Sequence, residues 1–259
     1  MMKIVSLGAG VQSTVMSLMA ECGEIERPDA AIFADTGNEP VAVYGHLEWL
    51  VTQLSYPVYR VSAGNIAEDI KNGCNSVGTR YVAMPFFLSN GGMGRRQCTS
   101  EYKIRPIVKK VRELCGLKSG ERAAGKVFVE QWIGITTDEI VRMKSAREKW
   151  ITNRWPLIEL NMSRSDCIAW FGRKYPGRQL VKSSCKMCPY HSDDEWRGLS
   201  RDEFREACEF DDAIRVHPDM RNDQYVHAAR IPLRDVDLRV PGDFGQLSFL
   251  DECDGLCGL

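Results

Sequence analysis

The chain has 259 residues, 44% of them hydrophobic and 27% charged, with a formal net charge of −1. Such a composition describes one large globular domain, or one domain with a smaller appendage, whose surface as a whole has no general attraction for nucleic acid. No apolar run approaches the roughly 20 residues that span a bilayer, and the N-terminus enters a strand with no basic leader, so a cytoplasmic location is expected.

Ile4, Val5 and Leu7 form the short apolar run of a central parallel strand. It leads into Gly8-Ala9-Gly10-Val11-Gln12-Ser13-Thr14, and residues 15–20 then read as a helix. Gly8 and Gly10 permit a tight turn that exposes N–H groups, while Ser13 and Thr14 supply hydroxyls for capping or binding. A turn of this kind at the positive end of a helix is an anion cradle, usually for phosphate. An unoccupied strand–helix turn is the alternative. The Gly-Lys-Ser/Thr ending of the Walker loop and the Gly-x-Gly-x-x-Gly dinucleotide spacing are both absent.

Residues 30–34 read as a second strand, Asp35-Thr36-Gly37-Asn38 as the turn that ends it, and residues 39–54 as a helix. A third strand over 58–61 and a short helix over 66–71 follow. Residues 72–97 are irregular, a connection long enough to be a functional lid or a disordered segment, and end on the cations Arg95 and Arg96. A basic amphipathic helix over 104–114 precedes a fourth strand over 127–135, which ends at Gly134-Ile135-Thr136-Thr137. Strands alternating with helices predict a doubly wound parallel α/β sheet. Ligands of such sheets bind beyond the carboxyl ends of the strands, where the three turns would converge. Residues 163–171 and 193–210 read as helices, the second a charged surface helix, and the last thirty residues as an extended tail. The expected division is an α/β domain over 1–160 that carries the glycine-rich turn, and a helical, cysteine-rich region over 161–259 packed on it.

Ten cysteines without an export signal suggest thiols, metal ligation or sulfur chemistry rather than disulfides. Cys22, Cys115, Cys167 and Cys208 lie in or beside apolar helical patterns and read as small core side chains, while Cys74 falls in a loop. Cys185-x-x-Cys188 on a loop suits zinc, an iron–sulfur cluster or a redox disulfide. Cys253 and Cys257 sit on a glycine-bearing tail able to shuttle sulfur, or are incidental thiols there.

The Gly8–Ser13 turn resembles the PP-loop of the ATP pyrophosphatases, Ser-Gly-Gly-x-Asp-Ser, with Gly8, Ala9 and Gln12 at its serine, first glycine and aspartate. Residues 33–39 resemble the second nucleotide motif of the phosphoadenosine phosphosulfate reductase branch of that family. Residues 97–106 (Gln97-Cys98-Thr99 through Lys103 to Arg105-Pro106) resemble its cysteine–lysine–proline segment. Residues 134–142, with Glu139 and Arg142, resemble its Gly-x-x-x-x-Glu-x-x-Arg stretch. Trp155-Pro156-Leu157 and Cys185 to Tyr190 complete an ordered set spanning nearly the whole chain.

The resemblance implies an adenine nucleotide alpha hydrolase-like fold and an enzyme that binds ATP with Mg²⁺. Its nucleotide-binding residues would be Ser6, Leu7, Gly8, Ala9, Gly10, Val11, Gln12, Ser13, Thr14, Asp35, Thr36, Gly134, Ile135 and Arg142. Lys103, Cys98, Cys185, Cys188 and Cys257 would be catalytic, with Lys103, Arg105 and Arg142 as phosphate partners. Cys98, Cys185 and Cys188 would hold a 4Fe–4S cluster with one open iron, or zinc, with His191 or a tail cysteine as a fourth ligand. The similarity is greatest to the small ATP-pyrophosphatase component of DNA phosphorothioation systems. That implies adenylation of a DNA backbone oxygen for replacement by sulfur, a cysteine desulfurase as donor and a multi-subunit complex. A tRNA thiolase, a thiol-dependent sulfonucleotide reductase using Cys257, and a non-catalytic nucleotide-sensing scaffold are the alternatives.

Overall fold

The computed structural model describes residues 1–238 except 76, 80, 82, 83, 124, 126, 127 and 219. Its first strand, β1 (Met2–Leu7), is apolar on both faces because both are covered. Val5 and Leu7 pack with α1 (Val11–Glu21), whereas Ile4 packs on the opposite side in another cluster. The chain continues through β2 (Ala30–Asp35), α2 (Val41–Gln53), β3 (Val58–Ser62) and α3 (Ile66–Lys71). The two-residue β4 (Phe87–Leu88), a π-helix over Thr99–Ile104 and α4 (Arg105–Leu114) follow. Next come β5 (Val129–Ile133), a 3-10 segment over Thr137–Arg142, β6 (Ile151–Arg154), α5 (Pro156–Glu159) and α6 (Arg164–Lys174). Last are α7 (Asp193–Gly198), α8 (Arg201–Ile214) and β7 (Gln224–Tyr225), which pairs antiparallel with β4.

The main sheet has five strands in the order β3-β2-β1-β5-β6, and every pair is parallel. The order reverses between β1 and β5, so the crevice beyond their carboxyl ends is the topological switch point, where such sheets bind ligands. α1 and α6 cover one face, where Cys167, Trp170 and Phe171 join the β1–α1 core. α4 covers the other face, with Ile107 and Val111 against Ile4 and Ile32. Full burial of side chains such as Met16, Leu18 and Ile32 contributes about 1.5–3 kcal/mol each. A second core gathers Ile70, Phe86 and Tyr102 with Trp196, Phe210 and Leu233, drawing on residues from both sides of position 160.

Several expected elements change shape. Residues 193–210 form two helices, because Ser200 caps α8 through reciprocal bonds with Glu203. α8 keeps the expected charged outer face, with Asp202, Arg205 and Glu209 exposed, while Ala207, Cys208, Phe210 and Ile214 are buried in the second core. The helix expected from 39 starts at Val41, after Pro40. The fourth strand is shorter than expected, and Val127 lies outside the described residues. Edge strand β6 was not expected, since only Ile151 of its four residues is buried. Cys22 is exposed rather than core, because it sits past the end of α1.

Candidate functional site

The β1–α1 turn is built by an alanine in an unusual conformation. Ala9 has φ +58°, in the left-handed region that glycine adopts without cost. Its methyl is buried in the first core, so packing holds the conformation. The Gly8 amide donates to Ser13 Oγ at 3.2 Å, and α1 begins at Val11 with Gly10 as N-cap and no side-chain cap. The first-turn amides therefore carry the partial positive charge of the helix into the switch-point crevice.

From the other side of the crevice comes Gly134, just beyond β5. A Cβ placed there would lie 2.8 Å from the Ser13 amide nitrogen and 3.1 Å from the Gln12 carbonyl carbon. Only a residue without a side chain lets the two turns meet this closely. Further along the same turn, the Thr136 hydroxyl is buried with no hydrogen-bond partner among the described residues.

Gln12 is the hub that joins this turn to its surroundings. Its Nε2 donates to Glu139 Oε2 at 3.3 Å, and its Oε1 accepts from Arg164 Nη1 at 3.1 Å. Glu139 also pairs with Arg142. An amide suits this place because it donates to an acid and accepts from a base at once. Thr14 Oγ1 lies 3.0 Å from His46 Nε2 on α2. Burial, aided by the Arg178 charge, pushes His46 down to about 4, so the ring is neutral near pH 7.

The ends of β2 and the Cys185–Cys188 turn make a second cluster. Thr36 Oγ1 lies 3.3 Å from Cys185 Sγ and donates to Glu39 Oε1 at 3.2 Å. Lys103 Nζ stands 3.8 Å from the same carboxylate oxygen, and both side chains are buried. The Lys186 amide donates to the Asn38 carbonyl at 2.8 Å and ties the cysteine turn to the end of β2. Cys98, Cys185, Cys188, Thr36, Thr99 and Lys103 all line one cavity of about 20 Å³, room for roughly one water. The Thr99 hydroxyl there is buried without a hydrogen-bond partner among the described residues.

The tertiary structure thus brings together Cys98, Cys185, Cys188, Lys103 and Thr36. Three soft sulfur donors on one cavity fit an iron–sulfur or zinc ligand set. Among the described residues they are not drawn into a closed metal cage. His191 Nε2 meets Ser184 Oγ at 2.8 Å, and its ring packs edge-on against Trp196. Cys253 and Cys257 lie outside the described residues.

Other expected residues are placed as follows. Ser6 points into the sheet and accepts from Gln131, while the side chains of Leu7, Ala9 and Val11 lie in the first core. Ile135 packs with Ile133, Met143 and Trp155. Asp35 accepts from the Gly37 amide and the Tyr44 hydroxyl, each at 2.8 Å, and from Arg60 at 3.1 Å. Burial, then the Asp35 carboxylate, pushes the Tyr44 phenol up. Arg105 is exposed and pairs with Glu101, unlike buried Lys103. Arg96 lies over the Tyr190 ring. Sequence reasoning missed Arg164 and His46, whose spacing from Gln12 and Thr14 carries no local pattern; Glu39 stood inside a quoted motif without a role.

The fold is α/β, with helices on both faces of an all-parallel sheet. No helix among the described residues is long and apolar enough to cross a membrane. Comparison with protein-family models, curated proteins and solved structures gives no match to this chain.

Proposed function

We propose that the chain is a PP-loop ATP pyrophosphatase that adenylates a nucleic-acid oxygen, a DNA backbone phosphate foremost, for replacement by sulfur. The observation that carries this reading is the contact of the Gly8–Thr14 turn with Gly134 at the switch point, beside the thiol-lined cavity. The turn's amides would hold the triphosphate, and Arg142, Arg164 and Lys103 are the nearby cations for charge developing on it. Mg²⁺, held chiefly by the phosphates, would neutralise the remainder.

In the first step an acceptor oxygen bonds to the α-phosphorus, and the bond to the bridging oxygen breaks, releasing pyrophosphate. In the second, a sulfur nucleophile at the oxidation level of hydrosulfide bonds to the activated phosphorus, and AMP leaves with the original oxygen. Cys98, Cys185 and Cys188 would hold an iron–sulfur cluster or zinc. A bound cluster would supply an iron able to carry sulfide. The buried Lys103–Glu39 pair and Thr36 keep Cys185 in a polar setting at the end of β2. A cysteine desulfurase is the fitting donor.

Incubation with ATP, Mg²⁺, sulfide and duplex DNA tests the reading. AMP and pyrophosphate in equal amounts, with a sulfur-for-oxygen mass change in the DNA, are expected. ADP as the only product, or no ATP binding, overturns it. Sulfite release from adenylyl sulfate without AMP formation from ATP would assign the reductase chemistry instead.

A further inference from the structure

A groove of about 650 Å³ runs along α4. One wall is α4, with Ser100 and Ile104 of the preceding π-helix at one end and Leu117 and Gly120 past its other end. The floor is sheet: Gln131 and Ile133 of β5, Ile151 and Asn153 of β6. The segment 144–148 forms the opposite wall. No helix covers this part of the sheet among the described residues, because the chain passes from β5 to β6 through a 3-10 segment and a loop.

The charge of the groove departs sharply from that of the molecule. Arg105, Lys109, Arg112, Lys118, Lys144 and Arg147 line it, against Glu113 and Glu148, while the whole chain carries −1. Glu113 is paired with Lys110 and Arg105 with Glu101, while Arg112 donates through Nη2 to the Lys118 and Glu121 carbonyls. Lys109, Lys144 and Arg147 are exposed and make no ion pair among the described residues. Arg105, Lys109 and Arg112 recur at helical spacing on one face of α4, a row about 10 Å long at 1.5 Å per residue. One phosphate meets only part of such a row, whereas a chain of phosphates meets all of it.

Among the described residues the lining holds aliphatic side chains and no Phe, Tyr or Trp. A strand with unpaired bases is normally held by aromatic stacking. A strand whose bases are already paired and stacked offers no open base face, and contacts to its phosphates need no aromatic platform. The upper end of the groove, at Ile104 and Ile133, lies one residue from Gly134 and so opens at the strand ends where the nucleotide would sit.

Resting on the reading above, we propose that the two cationic walls of this groove, Arg105, Lys109 and Arg112 facing Lys144 and Arg147, hold the phosphate backbone of duplex DNA. The bound strand then runs up the α4 face toward the β1–α1 turn. In the sequence only Lys109-Lys110 stands out as a local basic patch here and no basic-aromatic platform is visible, because the groove's cations come from segments thirty residues apart.

The test compares the full chain with the triple variant Lys109→Gln/Lys144→Gln/Arg147→Gln. Fluorescence anisotropy with a labelled 20-base-pair duplex, a matching single strand and tRNA is followed across a salt series, with ATP binding measured in parallel. All three changes are on exposed side chains, and retained thermal stability and ATP affinity verify folding. The wild type is expected to prefer the duplex. The variant should lose about tenfold or more in duplex affinity at low salt. Its log–log salt slope should fall by about 3. An unchanged slope, absent duplex binding, or preference for the single strand or tRNA overturns the proposal. So does loss of self-association without loss of duplex affinity, which would give the groove to a second copy of the chain. A reduced slope with no AMP formation from ATP supports the groove and counts against the pyrophosphatase reading; intact AMP formation with an unchanged slope does the reverse.

Discussion

A Cβ at Gly134 would stand 2.8 Å from the backbone nitrogen of Ser13, closer than such contacts occur. The end of β5 and the start of α1 therefore touch through their backbones across the switch point. Gly134→Ala should force one turn away from the other, costing about 1–3 kcal/mol by overpacking. It should also weaken ATP binding, because the displaced atoms belong to the turn that would cradle phosphate. Urea unfolding and calorimetric titration with a non-hydrolysable ATP analogue would show both effects; unaltered values in both would mean the approach carries no constraint.

Gln12 bridges Glu139 and Arg164 as a neutral amide. Gln12→Glu sets a second carboxylate against Glu139 and removes its donor. A loss of about 1–3 kcal/mol is expected from the unpaired buried oxygen, only partly offset by Arg164. Arg164→Gln alone should be milder in stability yet reduce affinity for a triphosphate. Thermal unfolding and nucleotide titration separate the two effects.

His46 is buried neutral beside Thr14, with its pKa pushed down to about 4 against an ordinary value near 6.5. Below pH 6.5 the unfolded chain takes up a proton at this ring that the folded chain refuses. Stability from this group is therefore full above pH 6.5 and lost as pH falls toward 4, on the order of 1–3 kcal/mol. Urea unfolding between pH 4 and 7 should show a shallower decline for His46→Gln than for the wild type. Parallel profiles would remove His46 from the acid response.

Glu39 and Lys103 form a buried pair at the thiol cavity, 3.8 Å apart. Lys103→Met leaves a buried carboxylate without its cation, a change that typically costs about 3–5 kcal/mol. Adding Glu39→Gln should recover much of that loss. If the double variant is no better than the single one, Lys103 acts on stability through its packing alone. Turnover of ATP should stay low in both, since the recovered fold still lacks the cation.

Local patterns in the chain were enough to read β1, β2, β3 and α3, because apolar runs bounded by glycine, proline or aspartate leave few other solutions. Residues 66–71 match α3 end to end, where Asn65 caps the helix. β6 escaped because an edge strand need bury little, and three of its four residues are polar or charged. The split of 193–210 into α7 and α8 turned on one cap, Ser200 with Glu203, inside a stretch whose charge looks uniformly helical.

The sequence by itself determined that a glycine-rich turn follows a buried strand and opens a helix, since backbone conformation and apolar periodicity are local. It also determined which residues carry sulfur and charge. Only the tertiary structure decided that Gly134 presses on Ser13, that Gln12 joins Glu139 to Arg164, and that Cys98 shares a cavity with Cys185 and Cys188. Those partners are separated by 87 to 152 positions or more than one element, and sheet order, not spacing along the chain, sets which strand ends become neighbours.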